Sequence, residues 1–405
     1  MISYIKEYFD YKTFLITCTL VLIGLLSIYS ATFNVNNALN FYRQIIWGSI
    51  GLVIMLVVGF IPLRTVQRLS VPFYFLMLFI LLIVLVIGIT VKGSKRWLGV
   101  GGFGGQPSEF AKIATVLAFA SYLSKTDVSL AHFKHFVLAL LIFAAPMSII
   151  IMQPDLGTTI VFFATLVPLL YWAGVSNFIL VAIIVPIIVA GSALLGTTVF
   201  LIANALGAGL LYFFRENRFA AIVVFGITLA VGLSVQIGYD RLPLYQQKRI
   251  ATFLNPGADL LGAGYNVVQS KIAIGSGGFL GKGYLKGTQT QFNYIPEHRT
   301  DFIFCVFGEE FGFIGSAIIL LLFSALCLHG IRIATLSKNR FGSLAALGLT
   351  VILTTHAFVN IGMCMGSVPV IGIPLPFLSY GGSALVSNMM LSGLLMNFYT
   401  NRKEY

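Results

Sequence analysis

Long apolar runs separated by short polar stretches dominate the chain. A run of about 17 to 25 mostly apolar residues is long enough to cross the hydrocarbon core of a bilayer as one helix. Such runs occupy residues 13–31, 44–60, 72–90, 108–124, 136–152, 155–173, 177–195, 196–214, 219–238, 302–331, 344–365 and 375–398. They predict an all-α, polytopic membrane helix bundle of about twelve transmembrane helices.

One boundary in this pattern depends on two glycines alone. Gly191 and Gly196 are all that separates the runs at 177–195 and 196–214, so either two helices or one long bent helix fits this stretch. The distribution of charge favours two helices, because an even number of crossings is needed to return both termini to the same side of the membrane.

Cationic residues follow the positive-inside rule along most of the chain. With a cytoplasmic N-terminus, the loops on that side carry Lys6, Lys12, Arg64, Arg68, Lys125, Lys134, Arg215, Arg218, Arg332, Lys338, Arg340, Arg402 and Lys403. We therefore expect both termini to be cytoplasmic and the large polar loop at 239–301 to be extracytoplasmic.

Composition supports the membrane class and adds one exception to the charge rule. Apolar residues make up 58% of the chain and charged residues 9%, against about 25% charged in soluble proteins. Two segments placed outside are nevertheless cationic, one around Lys95 and Arg96 and the other the loop at 239–301. Such charge predicts an anionic ligand, although a loop this long is also translocated whatever its charge.

The chain is interpreted as one integral membrane domain over residues 1–405, with the large loop at 239–301 inside it. Within that loop, the stretches 244–254 and 265–274 are short and amphipathic. They predict helices that lie flat at the membrane interface.

Ionisable residues inside or beside the apolar runs are candidate functional groups, because charges in the bilayer are costly. Glu109 and Lys112 are three residues apart and share a helical face, and Asp155 follows Gln153-Pro154 at a predicted helix start, so all three can meet at one depth. Mutually neutralising structural pairs are the alternative interpretation of these charges.

Asp301 is the leading candidate for a catalytic group. It ends a polar, charged stretch at 294–301, directly before an apolar run. Four-residue spacing predicts that Asp301, Cys305 and Glu309 share one helix face, with Glu309 about 12 Å deeper. Three prolines exclude a regular helix throughout 368–376.

Several chemistries have no support in the sequence. The glycine-rich stretch at 275–283 is not followed by Gly-Lys-Ser/Thr, so no phosphate-binding loop and no nucleotide are expected. The four cysteines and five histidines show no metal-ligand spacing. No nucleic-acid partner is expected.

Blocks of residues spread over nearly the whole chain resemble the SEDS family, and within it the RodA branch more than the FtsW branch. The matching blocks are 93–97, 106–112, 153–157, 262–265, 269–275, 287–289, 296–304, 374–376 and 379–383. Two departures accompany the resemblance. The family has about ten spans, so about forty residues around 191–235 are expected to add a helix pair, and the family order Glu-Arg-His-Thr-Asp reads Glu297-His298-Arg299-Thr300-Asp301 here.

The resemblance implies a peptidoglycan glycosyltransferase in the bacterial cytoplasmic membrane, with its active site on the outer face. Its expected substrate is lipid II, the undecaprenyl-pyrophosphate-linked disaccharide peptide, which it polymerises into β-1,4 glycan strands during cell elongation and shape maintenance. The expected partners are a class B penicillin-binding protein, other proteins of the elongation complex and membrane lipid.

The resemblance also assigns roles to residues. Asp301 is the base that takes the proton of the acceptor sugar, or the group that positions the base through a Mg²⁺ or Mn²⁺ ion. The expected substrate-binding residues are Lys95, Arg96, Trp97, Glu109, Lys112, Gln153, Asp155, Lys271, Glu297, His298, Arg299, Ser379 and Ser383.

Two other classes of protein fit many of the same features. A lipid II flippase or secondary carrier also has about twelve spans, broken helices and intramembrane charges. A noncatalytic scaffold of a cell-wall complex is the third class. Against a carrier, the charges gather at the outer end of the spans, and the sequence has no evident internal repeat.

Overall fold

The computed structural model describes residues 9–33, 38–91, 94–100, 103–241, 247, 251, 263–292, 294–296 and 299–404. Its contacts divide the chain into two compact units. One unit contains Met1–Leu169 with Gln269–Tyr405, and the other is Leu170–Val268. The organisation as a single domain stays a prediction.

Helices make up most of the described chain. In order they are α1 Tyr11–Thr32, α2 Ala38–Gly59, α3 Leu63–Ile87, α4 Pro107–Leu123, α5 Phe133–Met152, α6 Leu156–Trp172, α7 Asn177–Ala193, α8 Thr197–Phe213, α9 Arg218–Gly238, α10 Ala263–Gly277, α11 Thr288–Gln291, α12 Ile303–Leu336, α13 Arg340–Cys364 and α14 Gly382–Thr400. Each predicted apolar run overlaps one of these helices over most of its length.

Seven of the described helices are long and apolar enough to cross a membrane, namely α1, α2, α3, α5, α9, α12 and α13. The apolar helices α6, α7 and α8 are shorter. The predicted class of fold, a membrane helix bundle, is therefore confirmed. The count of about twelve spans stays a prediction. Gly196, with a φ of 117°, separates α7 from α8, so this stretch forms two helices and not one bent helix.

A small antiparallel sheet corrects the all-α prediction. Its strands are β1 Ile89–Val91, β2 Ser94–Val100 and β3 Phe103–Gly105, in the order β1-β2-β3. Ile89 pairs with Trp97, and Gly99 pairs with Gly104. The predicted run at 72–90 includes the start of β1. The β-branched residues of this strand favour strands, but they continue the apolar pattern of the helix before them.

A break at Gly312 corrects the prediction of one continuous helix over 302–331. Gly312 has a φ of 64° and a ψ of −155°, and a Cβ there would lie 2.3 Å from the Gly281 nitrogen. The segment before α11 approaches the break closely, since the Phe313 N–H donates to the Gly278 carbonyl at 2.9 Å. Only a residue without a side chain fits this approach.

The start of α12 corrects a second prediction. The helix begins at Ile303, so Asp301 lies in the preceding turn and not on the helix face of Cys305 and Glu309. Glu309 remains in the first segment of α12, where it meets the chain around α11.

The proline-containing segment at 368–376 is not helical, as predicted. The irregular backbone extends further, because α14 begins only at Gly382 and the predicted run at 375–398 had placed its start seven residues earlier. The predicted interfacial helix at 265–274 is a helix, α10. The stretch at 244–254 lies outside the described residues except for Gln247 and Ala251.

The unit Leu170–Val268 has an apolar core of its own, built from α7, α8 and α9. Phe178, Val185, Val189, Phe200 and Leu211 are buried in it. These contacts are sufficient for the three helices to pack together as one compact unit.

Helices α2 and α14 pack closely at a glycine, and this contact yields a prediction. A Cβ on Gly393 would lie 2.4 Å from the carbonyl oxygen of Met55, a backbone atom that cannot move alone. Gly393→Ala is therefore expected to lower the free energy of unfolding in detergent by about 1–3 kcal/mol. Gly59→Ala is the matched control at the same interface, since its Cβ would lie 3.7 Å from the nearest atom. Equal stability of the two variants would contradict the packing described.

Candidate functional site

Asp301 lies in a turn against the proline-containing segment. Its side chain is half-buried, and a Cβ on Gly372 would lie 3.4 Å from its Oδ2 atom. Gly372 has a φ of 74°, a conformation that residues with side chains rarely adopt. The segment at 368–376 thus brings bare backbone next to the carboxylate.

The backbone of this turn is held at three consecutive carbonyl groups. The Tyr380 N–H donates to the Arg299 carbonyl at 2.9 Å, and the Ser379 hydroxyl donates to the Thr300 carbonyl at 2.5 Å. The Asn360 side chain donates to the Asp301 carbonyl at 2.8 Å. Ser379, predicted to bind substrate, therefore has a structural contact beside Asp301, and Asn360 was not anticipated from the sequence.

A second group of polar residues surrounds Asp155. Its carboxylate lies 3.3 Å from Arg96 Nη1 and accepts hydrogen bonds from Gln106 Nε2 at 2.9 Å and from the Thr158 N–H at 3.2 Å. The last of these bonds caps the first turn of α6. Gln106 in turn donates its backbone N–H to Ser383 Oγ at 3.1 Å, which joins this group to the start of α14.

The two groups lie on either side of residues 371–373. A Cβ on Gly157 would lie 3.1 Å from the Ile371 carbonyl oxygen and 3.7 Å from Asp155 Oδ1. On the other side, Gly372 faces Asp301. Residues far apart in the sequence, from β2, α6, the Asp301 turn and α14, thus meet around one short segment.

Glu109 and Lys112 form the ion pair that their spacing predicts. Lys112 Nζ lies 2.9 Å from Glu109 Oε1, and both side chains are buried. Lys112 Nζ also lies 2.7 Å from His356 Nε2, a partner on α13 that sequence analysis missed. Asp155 is bonded instead to Arg96 and Gln106, so it does not join this pair through any contact seen in the described residues.

The remaining predicted site residues have varied surroundings. Gln153 donates to the Leu81 carbonyl at 2.9 Å and is buried. Lys95 Nζ donates to the Val86 carbonyl at 2.7 Å, and Trp97 is half-buried beside Gly104. Lys271 is exposed on α10.

Two of the predicted residues lie beyond what can be described. Glu297 and His298 fall outside the described residues, so their predicted roles stay predictions. Arg299, the neighbouring cation, is half-buried in the turn that leads to Asp301.

Glu309 is a structural anchor in an ion pair with Lys282, which is one of the two interpretations that the sequence left open for it. Its fully buried carboxylate accepts hydrogen bonds from Lys282, Thr288, Gln289 and Thr290 at 2.8–3.2 Å. It therefore holds the chain around α11 against α12. Nearby, the Tyr284 hydroxyl donates to the Leu26 carbonyl at 3.2 Å, and burial raises the pKa of this phenol, which keeps it a donor.

The apolar helices of spanning length define an integral membrane protein. Its ionisable side chains gather around the irregular proline-containing segment and form a polar site at the ends of the helices. The chain belongs to the FtsW/RodA/SpoVE family, because the model of that family, described as "Cell cycle protein", matches residues 11–205 and 178–404. The two matches overlap at 178–205, and residues 191–205 of this overlap also belong to the stretch where the extra helix pair is predicted.

Relatives named for an enzymatic activity cover nearly the whole chain. It is 36% identical over 425 aligned residues to "Peptidoglycan glycosyltransferase RodA" of Treponema pallidum, covering 96% of this chain and 97% of the relative. It is 37% identical over 398 residues to "Peptidoglycan glycosyltransferase MrdB" of Escherichia coli, covering 98% and 95%. "Stage V sporulation protein E" of Bacillus subtilis is 35% identical, covering 96% of each.

Solved structures share the fold. A chain in "Structural coordination of polymerization and crosslinking by a peptidoglycan synthase complex" superposes with a TM-score of 0.75 at 24% identity, covering 98% of this chain and 99% of that one. RodA of Thermus thermophilus gives a TM-score of 0.65 at 21% identity, covering 98% of each.

Proposed function

We propose that the chain is a peptidoglycan glycosyltransferase that polymerises lipid II into β-1,4 glycan strands at the outer face of the bacterial cytoplasmic membrane. The observation that carries the proposal is the half-buried Asp301 carboxylate, held by its backbone against Gly372 in a chain whose full-length relatives bear this activity as their name. Membership of the family supports the membrane location.

In the proposed reaction, Asp301 acts on the acceptor sugar. The sugar hydroxyl oxygen attacks the anomeric carbon of the donor as its proton passes to the carboxylate. The bond between that carbon and the pyrophosphate oxygen breaks, and undecaprenyl pyrophosphate leaves with the electron pair. Lys95, Arg96, Lys271 and Arg299 supply the positive charge that stabilises this leaving group, and Trp97 offers a flat surface for a sugar ring.

A divalent cation fits the site only if the substrate supplies part of its ligands. Among the described residues no group of three or more His, Cys, Asp or Glu side chains could hold a metal ion. Mg²⁺ is commonly bound by one or two carboxylates together with substrate phosphates. Asp301 with the pyrophosphate oxygens would supply such ligands for Mg²⁺ or Mn²⁺, and the ion would stabilise negative charge on the leaving group.

The proposal extends to partners and topology. We place both termini in the cytoplasm and Asp301 outside, on the strength of the charge distribution along the loops. A class B penicillin-binding protein and other proteins of the elongation complex are the proposed partners. The structural match to a chain of a peptidoglycan synthase complex supports a partner of this kind.

The experiment that tests the function is polymerisation by the purified protein. Incubated with lipid II and Mg²⁺ or Mn²⁺, it is expected to form glycan strands that a muramidase degrades. A parallel assay uses fluorescent lipid II in liposomes and measures its movement between leaflets. Movement without polymer would establish the flippase alternative, and neither activity would favour a scaffold.

A further inference from the structure

We infer that Asn360 is a positioning residue that fixes the Asp301 carboxylate relative to the segment at 368–376. The inference rests on the proposed function, because it concerns how the proposed base is oriented. Asn360 lies on α13 and is fully buried. Neither the sequence motifs nor the predicted site residues include it.

The side-chain amide of Asn360 joins the two sides of the site. Its Nδ2 atom donates to the Asp301 carbonyl at 2.8 Å and to the Ile373 carbonyl at 2.7 Å. An amide nitrogen carries two hydrogens, so both are used by these bonds. Ile373 is the neighbour of Gly372, which faces the Asp301 carboxylate, and one amide group therefore sets the separation of the carboxylate from this backbone.

The backbone carbonyls of the Asp301 turn depend on hydrogen bonds from other segments more than those inside a helix do. Because α12 begins at Ile303, the carbonyls of residues 299–301 are held from outside the turn. Tyr380 and Ser379 hold the first two of them, and both belong to the segment between the prolines and α14. Asn360 holds the third from a different element, α13, at 2.8 Å, and the thiol of Cys364 on the same helix lies farther from that carbonyl, at 3.8 Å.

Helix α13 is itself anchored on the face that carries Asn360. His356, one turn earlier, lies 2.7 Å from Lys112 on α4. Cys364, one turn later, accepts a hydrogen bond from Ser270 on α10 at 2.9 Å through its carbonyl. Residues four apart share a helix face. The contacts of His356 and Cys364 therefore hold this face of α13 in place one turn before and one turn after Asn360, so the Asn360 amide is a fixed donor for the turn.

A base displaced by about 1 Å loses much of its rate advantage, whereas binding of a large lipid substrate through distant contacts is little affected. Asn360→Ala is therefore expected to lower kcat about 10- to 100-fold and to change KM for lipid II less than about threefold. Asn360→Ser keeps one donor, and its kcat should lie between those of Asn360→Ala and the unmodified protein.

Asn397 provides a matched control on α14. It is also fully buried, and its Nδ2 atom donates to the Val58 carbonyl at 3.0 Å and to the Ile61 carbonyl at 2.5 Å, both on or beside α2. Asn397→Ala removes the same kind of group from these two carbonyls and from the Gly59 carbonyl, which lies 3.4 Å from the nitrogen. It is expected to lower the thermal unfolding temperature as Asn360→Ala does, but to keep kcat per folded molecule within about threefold of the unmodified value.

The measurement is lipid II polymerisation by full-length protein in detergent, normalised to the folded fraction in size-exclusion chromatography. Equal kcat losses in Asn360→Ala and Asn397→Ala, or an unchanged kcat in Asn360→Ala, would overturn the inference. If Asn360→Ala does not fold, the same comparison is read from Asn360→Ser. If that variant also fails while Asn397→Ala folds, Asn360 is a residue of the fold and the inference is wrong.

The failure of this inference is distinguishable from failure of the proposed function. If the unmodified protein makes no glycan from lipid II, the proposed function itself fails. If the unmodified protein polymerises and the Asn360 variants do so at the same rate, the function stands and only the positioning role is lost.

Discussion

Asp301→Asn is expected to abolish glycan polymerisation by the purified protein while leaving it folded. The substitution removes the carboxylate that we propose takes the acceptor proton, and general-base catalysis contributes about 10²–10⁴-fold to rate. The backbone carbonyl of residue 301, which Asn360 holds, is unchanged by it. We therefore expect kcat to fall at least about 100-fold, with the size-exclusion profile of the unmodified protein.

Asp127→Asn is the matched control for this experiment. Asp127 is exposed in the connection between α4 and α5, and the same chemical change there should leave polymerisation within about twofold of the unmodified rate. Activity of Asp301→Asn comparable with that of the control would remove Asp301 from the mechanism, even though the protein would remain a polymerase.

The helices were predictable from the sequence, because a bilayer demands apolar runs of a fixed minimum length and these runs survive in any tertiary arrangement. The predictions of secondary structure were wrong where backbone geometry, and not composition, determines the conformation. The sheet at 89–105 consists of the end of an apolar run and a glycine-rich stretch, so its composition does not indicate strands. The break at Gly312 depends on the close approach of Gly281, which no local pattern reveals.

The site was predictable only where its partners are close in sequence. Glu109 and Lys112 pair because one helical turn separates them. The contacts of Lys112 with His356 and of Asp301 with Asn360 join residues separated by 244 and 59 positions, so they require the tertiary fold. A buried asparagine also carries no charge, so the cost of intramembrane charge gives no signal at position 360.

Glu309 is a different case, because the sequence left two interpretations of its carboxylate open, a functional group or a member of a structural pair. In the structure its carboxylate is fully buried and is satisfied by Lys282, two threonine hydroxyls and two backbone N–H groups. Two of these donors belong to Thr290, so the carboxylate organises the short helix α11.

Glu309→Ala is consequently expected to be the most destabilising of the substitutions considered. It leaves the Lys282 ammonium and the N–H groups of Gln289 and Thr290 without their acceptor, and each buried donor left unsatisfied costs about 1–3 kcal/mol. Thermal unfolding in detergent should report a large loss of stability. Lys282→Ala should cost less, since its side chain is 26% exposed and the carboxylate keeps its other donors.

The control is Glu404→Ala, which removes an exposed carboxylate near the end of the chain and should change the free energy of unfolding by less than about 0.5 kcal/mol. Hydrogen exchange locates the effect, because loss of the anchor should raise exchange first at residues 282–291, ahead of α2 and α14. If Glu309→Ala were as stable as Glu404→Ala, or exchange rose uniformly, the carboxylate would not be what holds this segment against α12.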